Sequence, residues 1–155
     1  MIYKRFFSIP FLLIVGLSIF LSSCKKTSDN QNNIDDQIII NYLTKNNIKA
    51  TKTGSGLYYT ITKEGSGKQV SSNNSLLVKY KGYLPDSTIF DQNNVGATIS
   101  LNTVITGWKE GLTYFKVGGK GQLFIPSHLA YGKNSNGSVP ANSVLFFDIE
   151  VLEIN

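Results

Sequence analysis

The chain has 155 residues, with 15 lysines and arginines against 10 acidic residues, a formal charge of +5, one histidine and one cysteine. So few imidazole and thiol groups argue against a His/Cys metal site. They also argue against Ser–His–acid catalysis, which would have to use His128 with no G-x-S-x-G around any serine. The basic excess is mild and scattered, with no cationic stripe interleaved with aromatics, so nucleic acid is not expected as a partner.

In chain order, "MIYKR" supplies Lys4 and Arg5, and "FFSIPFLLIVGLSIFL", residues 6–21, carries no charge. A positive start, an apolar middle and small residues at the end have the layout of an export signal over 1–23. The apolar run is shorter than the ~20 residues that span a bilayer as a helix, and Pro10 interrupts it. The other reading is an uncleaved signal anchor. "LSSC", residues 21–24, resembles the lipobox of bacterial lipoproteins. That resemblance implies cleavage before Cys24, acylation of its thiol and amino group, and an exported lipoprotein held to a membrane, facing the periplasm or cell exterior. Cys24 is the only cysteine and has no disulfide partner. More than one acyl chain is needed for stable anchoring. Loss of Lys4 and Arg5 with the signal takes the charge from +5 to +3.

"KKTSDNQNN" is polar and turn-rich, and 24–33 reads as a flexible tether. Residues 34–50 read as a short helical extension, because Ile38, Ile39, Tyr42 and Leu43 fall near helical spacing. Asp35 or Asp36 would then stand near its N-terminus, where negative charge is favoured.

A single domain over 54–155 follows. Alternation predicts strands at 57–62 (Leu57, Tyr59, Ile61 inward), 76–83, 97–101, 121–125 and 144–154. The last strand places Leu145, Phe147, Ile149 and Val151 on one face and Asp148 and Glu150 on the other, which favours an antiparallel sheet with a watered face. Trp108, Leu112 and Phe115, at i, i+4 and i+7, predict one helix over 107–116, with Gly118 and Gly119 as a left-handed stop. The fold class is therefore α+β: a curved antiparallel β-sheet wrapped around one short α-helix. Two connections, 84–96 and 126–143, are long for turns and point to binding loops.

The strings "GSG" (54–56, 65–67) and "GGKG" (118–121) lack the P-loop pattern and read as turns or caps. Asp148 and Glu150 read as solubility rather than catalysis. Five large aromatics stand out: Tyr80, Phe90, Trp108, Tyr131 and Phe147. Composition and spacing leave open whether they are plain core or the lining of a pocket.

"VKYKGYLPDSTIFD", "VITGWKEGL", "LFIPSHLAYG" and "VPANSVLFFDIEVL" strongly resemble the FKBP-type peptidyl-prolyl cis–trans isomerases, in order over 76–154 and more weakly over 54–75. The resemblance implies an isomerase of X–Pro bonds in proline-containing polypeptides, with no cofactor and with macrolides as inhibitors. Carried over residue by residue, the catalytic pocket is Tyr80, Phe90, Asp91, Ile105, Trp108, Tyr131 and Phe147, with Val104 and Val139 in substrate binding. It implies Trp108 as the floor under the proline and the Ile105 N–H as a donor to a substrate carbonyl. Ala97 and Ile99 stand where an aromatic is common, which implies a more open wall and weaker macrolide binding; Ala141 stands where a second proline is common, and neither change touches the floor. A non-catalytic, membrane-anchored proline-binding chaperone module is the alternative.

Overall fold

A computed structural model describes residues 22–155. Apart from Ser22 and Ser23, the signal inferred over 1–23 lies outside the described residues. The order is helix α1 (Ser22–Lys45), strands β1 (Thr51–Lys52), β2 (Tyr58–Lys63), β3 (Ser75–Tyr83) and β4 (Ile89–Ser100), helix α2 (Thr106–Gly111), and strands β5 (Lys120–Ile125) and β6 (Leu145–Ile154). Among the described residues the strands form one sheet, ordered β1-β2-β5-β6-β3-β4, and every neighbouring pair is antiparallel. The α+β class predicted from alternation is the fold observed.

Period two sets both faces. Val78 on β3, Leu123 and Ile125 on β5 and Leu145, Ile149 and Val151 on β6 turn inward against Trp108 and Leu112. Gly107 and Gly111 let α2 lie close to β5. A Cβ on Gly107 would come within 2.4 Å of Ile125 Cγ2, and one on Gly111 within 2.6 Å of Leu123 Cδ2. The opposite face is not wholly watered. Tyr58, Tyr83, Phe124 and Phe146 form a second core there under Ile39, Tyr42 and Leu43 of α1. The Tyr42 ring meets Phe146 at 4.4 Å and Phe124 at 6.0 Å between centroids.

Four expectations change. The tether expected over 24–33 is helical, and Cys24 falls in the first turn of a 24-residue helix. Asp35 and Asp36 therefore lie well inside α1, not at its start, and both serve tertiary contacts. The helix ends in a left-handed Asn47 (φ 53°), with Ile48 N–H donating to the Leu43 carbonyl at 2.9 Å and Asn47 N–H to Thr44 at 3.2 Å. This is a Schellman ending. The helix expected over 107–116 stops at Gly111 and tightens into a 3-10 turn at Leu112–Tyr114, because Phe115 turns extended (φ −99°, ψ 154°). Gly118 (φ 85°) serves the later turn into β5 rather than the helix end.

The connection expected over 84–96 is mostly strand. A tight turn joins Leu84 and Thr88, and β4 then pairs with β3 through register shifts near Tyr83 and between Val78 and Tyr80. The bulge between Asn93 and Ala97 hides the alternation: Val95 is 86% exposed, and Asn93 Oδ1 accepts the N–H groups of Val95 and Gly96. Finally, the sheet starts before residue 54, at β1. Among the described residues no helix is long and apolar enough to cross a membrane.

Candidate prolyl-binding site

Trp108 is the third residue of α2 and is 4% exposed. Two rings stand nearly perpendicular to its indole. Tyr80 from β3 lies at 5.2 Å and 87°, and Phe147 from β6 at 5.2 Å and 81°. Phe90 from β4 stands edge-on to Phe147 at 5.5 Å and 88°. Such edge-to-face pairs match the positive rim of one ring to the negative face of the next. Gly82, between Tyr80 and the β3–β4 turn, makes room for them: a Cβ there would sit 2.7 Å from Phe90 and 2.8 Å from Phe147.

The other residues singled out in the sequence gather around these rings. Val139 is buried in the same cluster, while Val104, Ile105 and Tyr131 are half-buried at its margin with Tyr80 and Phe90. These side chains bring a buried indole, its perpendicular rings and half-exposed apolar neighbours into one cluster, the aromatic bowl of the isomerase reading. Cys24 alone among the predicted site residues is elsewhere, on α1. Ile99, half-buried on β4 opposite Leu76, packs against the core, and Ala97 pairs with Val78.

Polar groups are few and specific. The Tyr80 hydroxyl donates to Asp91 Oδ2 at 2.8 Å. Burial, reinforced by that carboxylate, pushes the Tyr80 phenol up to about 12, so it stays a neutral donor across the physiological range. Ile105 is extended (φ −57°, ψ 149°) just ahead of α2. Its carbonyl accepts the N–H groups of Trp108 and Lys109, at 3.0 and 3.2 Å. Its own N–H has no acceptor among the described residues. The Trp108 indole N–H is likewise buried without an acceptor among them.

The connection 126–143 is internally bonded rather than loose. Asn136 and Val139 exchange both backbone hydrogen bonds at 2.9 Å, and Asn142 N–H donates to the Gly132 carbonyl at 2.7 Å. His128 is a bracing residue here, its Nε2 reaching the Ser55 carbonyl at 3.0 Å. Ser55 Oγ in turn donates to the Glu110 carboxylate of α2 at 2.8–2.9 Å.

A separate concavity of about 470 Å³ lies on the opposite face, bordered by Lys79, Lys81, Lys120, Gln122, Asp148 and Glu150. Lys81 pairs with Asp148 at 2.9 Å and Lys120 with Glu150 at 3.1 Å. Exposed pairs of this kind contribute little, and the lining is mostly charged and polar side chains, with Tyr80 and Ile149 its large apolar members. The aromatic cluster around Trp108 is the chemically distinctive surface. No group of three or more His, Cys, Asp or Glu among the described residues is placed to hold a metal.

Residues 66–152, more than half the chain, match the family model of the FKBP-type peptidyl-prolyl cis-trans isomerases. The chain belongs to that family. It is similar to the FKBP-type isomerase FkpA of Buchnera aphidicola, at 47% identity over 67% of this chain and 43% of that protein. It is also similar to FkpA of Aeromonas hydrophila, at 41% over 84% and 48%. The crystal structure of FkpA from Escherichia coli superposes with TM-score 0.70 at 33% identity, covering 86% of this chain and 65% of that one. A peptidyl-prolyl isomerase from Pseudomonas syringae gives 0.72 at 27%, covering 83% and 96%. The chain spans about half the length of the curated relatives it matches. In this FKBP-family chain α1, β1 and β2 precede the matched stretch.

Proposed function

We propose that this chain catalyses cis–trans isomerisation of X–Pro bonds in proline-containing polypeptides. The observation that carries the reading is the perpendicular ring set around Trp108, with Phe90 and Phe147 pressed together over Gly82. An uncatalysed X–Pro bond turns over in tens to hundreds of seconds against a barrier of about 20 kcal/mol. No covalent bond breaks, so neither nucleophile nor metal is required. The twisted amide has lost its resonance and much of its carbonyl polarity. An apolar, water-poor bowl suits it better than the planar, polar ground state. Each ~1.4 kcal/mol of that difference gives tenfold in rate.

In this reading Trp108, Phe90, Phe147 and Val104 hold the proline ring. The free Ile105 N–H and the Tyr131 hydroxyl take the flanking carbonyls. Asp91 orders Tyr80, and Val139 with the 126–143 connection meets the residue before proline. The test is isomerisation of a Leu-Pro peptide by the full chain. Acceleration over the uncatalysed rate is expected; binding of the peptide without acceleration would identify a holding module instead.

Export and lipid anchoring through Cys24 are part of the same proposal, supported by the lone cysteine three residues beyond the uncharged run 6–21. Fatty-acid labelling of cells expressing the chain should mark the wild type and not Cys24→Ala; equal labelling overturns it. Macrolides would compete for the bowl and be displaced by a proline peptide, which Trp108 fluorescence would report.

A further inference from the structure

α1 lies outside the stretch that the family model matches, yet one of its side chains is hydrogen-bonded to the segment that carries Tyr131. Asp35 is 0% exposed. Its Oδ2 accepts the Ser127 backbone N–H at 2.8 Å and the Ser127 hydroxyl at 2.6 Å. Its Oδ1 accepts from Gln31 Nε2 at 2.7 Å. The Ser127 carbonyl then accepts the N–H groups of Ala130 at 3.0 Å and Gly132 at 2.9 Å. Those two amides flank Tyr131. The path from the carboxylate to the rim tyrosine is therefore an unbroken run of hydrogen bonds and single covalent links.

Burying a carboxylate is costly unless its oxygens are satisfied. An apolar residue could have filled the same stripe of α1, as Ile39 does one turn later. What Asp35 adds over such a residue is a fixed direction for Ser127.

We propose that Asp35 is a positioning residue for isomerisation, setting the place of Tyr131 at the bowl's rim through Ser127. The proposal rests on the isomerase reading above. α1 is then part of the working enzyme and not only a cover for the sheet.

The test uses the full chain, the variants Asp35→Ala, Asp35→Asn and Ser127→Ala, and each Asp35 change combined with Tyr131→Phe. Two quantities are read: kcat/KM on a Leu-Pro peptide, and hydrogen exchange of the Ala130 and Gly132 amides. Asp35→Ala should lower kcat/KM about tenfold, within the cost of a small misplacement transmitted from outside the chemistry. Asp35→Asn keeps an accepting oxygen and should fall between it and the wild type. In the Tyr131→Phe background the further loss should shrink to about twofold or less, because the two residues act as one unit. Exchange at both amides should rise about tenfold or more, in line with lost local protection. Lys52→Ala, which removes the neighbouring ion pair to Asp36 without touching Ser127, should keep the wild-type rate.

Wild-type kcat/KM and unchanged exchange in folded Asp35 variants would overturn the proposal, as would losses fully additive with Tyr131→Phe. Should Asp35→Ala fail to fold, Asp35→Asn and Ser127→Ala carry the same readings. A wild-type chain without activity would sink the isomerase reading alone, while amide exchange still decides whether Asp35 holds the loop.

Discussion

Gly82 and Tyr80 show how single residues shape the bowl. Gly82 is required for space rather than backbone freedom, since a methyl would enter the gap between Phe90 and Phe147. Phe147 is buried and Phe90 half-exposed, so Phe90 is the ring that gives way. Gly82→Ala should fold and lose activity on a Leu-Pro peptide by about tenfold, as expected for a displaced positioning group; unchanged activity would show that the Phe90 wall is dispensable. Tyr80 makes a pH prediction. Its folded pKa is raised to about 12 by burial and by Asp91, against about 10 in an unfolded chain. Its contribution to stability is therefore complete below pH ~10 and is lost as pH rises towards ~12. Comparison of wild type with Tyr80→Phe should show no tyrosinate absorbance from this residue at pH ~10; ionisation there would contradict the hydrogen bond to Asp91. The roles of these rings were not legible in spacing. A buried Trp108 satisfies a core reading and a floor reading alike, and the floor role is what the likeness of the flanking motifs to a known family implies.

At the scale of elements, strands with clean alternation could be read and strands with bulges could not. β6 puts Leu145, Phe147, Ile149 and Val151 on one face without interruption. β4 loses its period at Asn93–Gly96, where side-chain capping of two backbone amides replaces pairing. The length of α1 was hidden for a different reason. Its first half is polar, and its seat on the sheet depends on contacts far along the chain, such as Asp35 with Ser127. The apolar stripe Ile38, Ile39, Tyr42 and Leu43 was visible, but not the surface it covers. Phe146, Phe124 and Tyr58 sit at positions that alternation assigns to the watered face. α1 covers them, so Ile39→Ala should cost about 2–5 kcal/mol of stability, the usual range for a fully buried isoleucine, measured by denaturant unfolding of the full chain. A loss below about 0.5 kcal/mol, the size of a surface change, would mean that α1 is not firmly docked. Near α1's middle, burial raises the Asp36 carboxyl, but hydrogen bonds from Lys52 and Tyr58 outweigh it and leave the pKa lowered. That contribution to docking is present above the ordinary carboxylate range and fades as pH falls below ~4.

Over the whole molecule the aromatic excess divides between two faces of one sheet. On one, Tyr83, Phe124 and Phe146 interlock with Tyr42 of the overlying α1 and hold the fold. On the other, Tyr80, Phe90, Trp108 and Phe147 stand edge to face with an open rim. Composition counts both sets alike, and the sheet separates them. In the proposed function the second set lowers the barrier to rotation about an X–Pro bond. This claim is tested most directly by measuring, with the full chain, the interconversion of cis and trans Leu-Pro peptide by NMR exchange, for the wild type and for Phe90→Ala. Phe90 is half-exposed, so its truncation spares the fold. The wild type should accelerate exchange strongly, and Phe90→Ala should lose at least about tenfold of that, or ~1.4 kcal/mol of transition-state stabilisation. Equal rates for the two proteins, or no acceleration by either, would contradict the account.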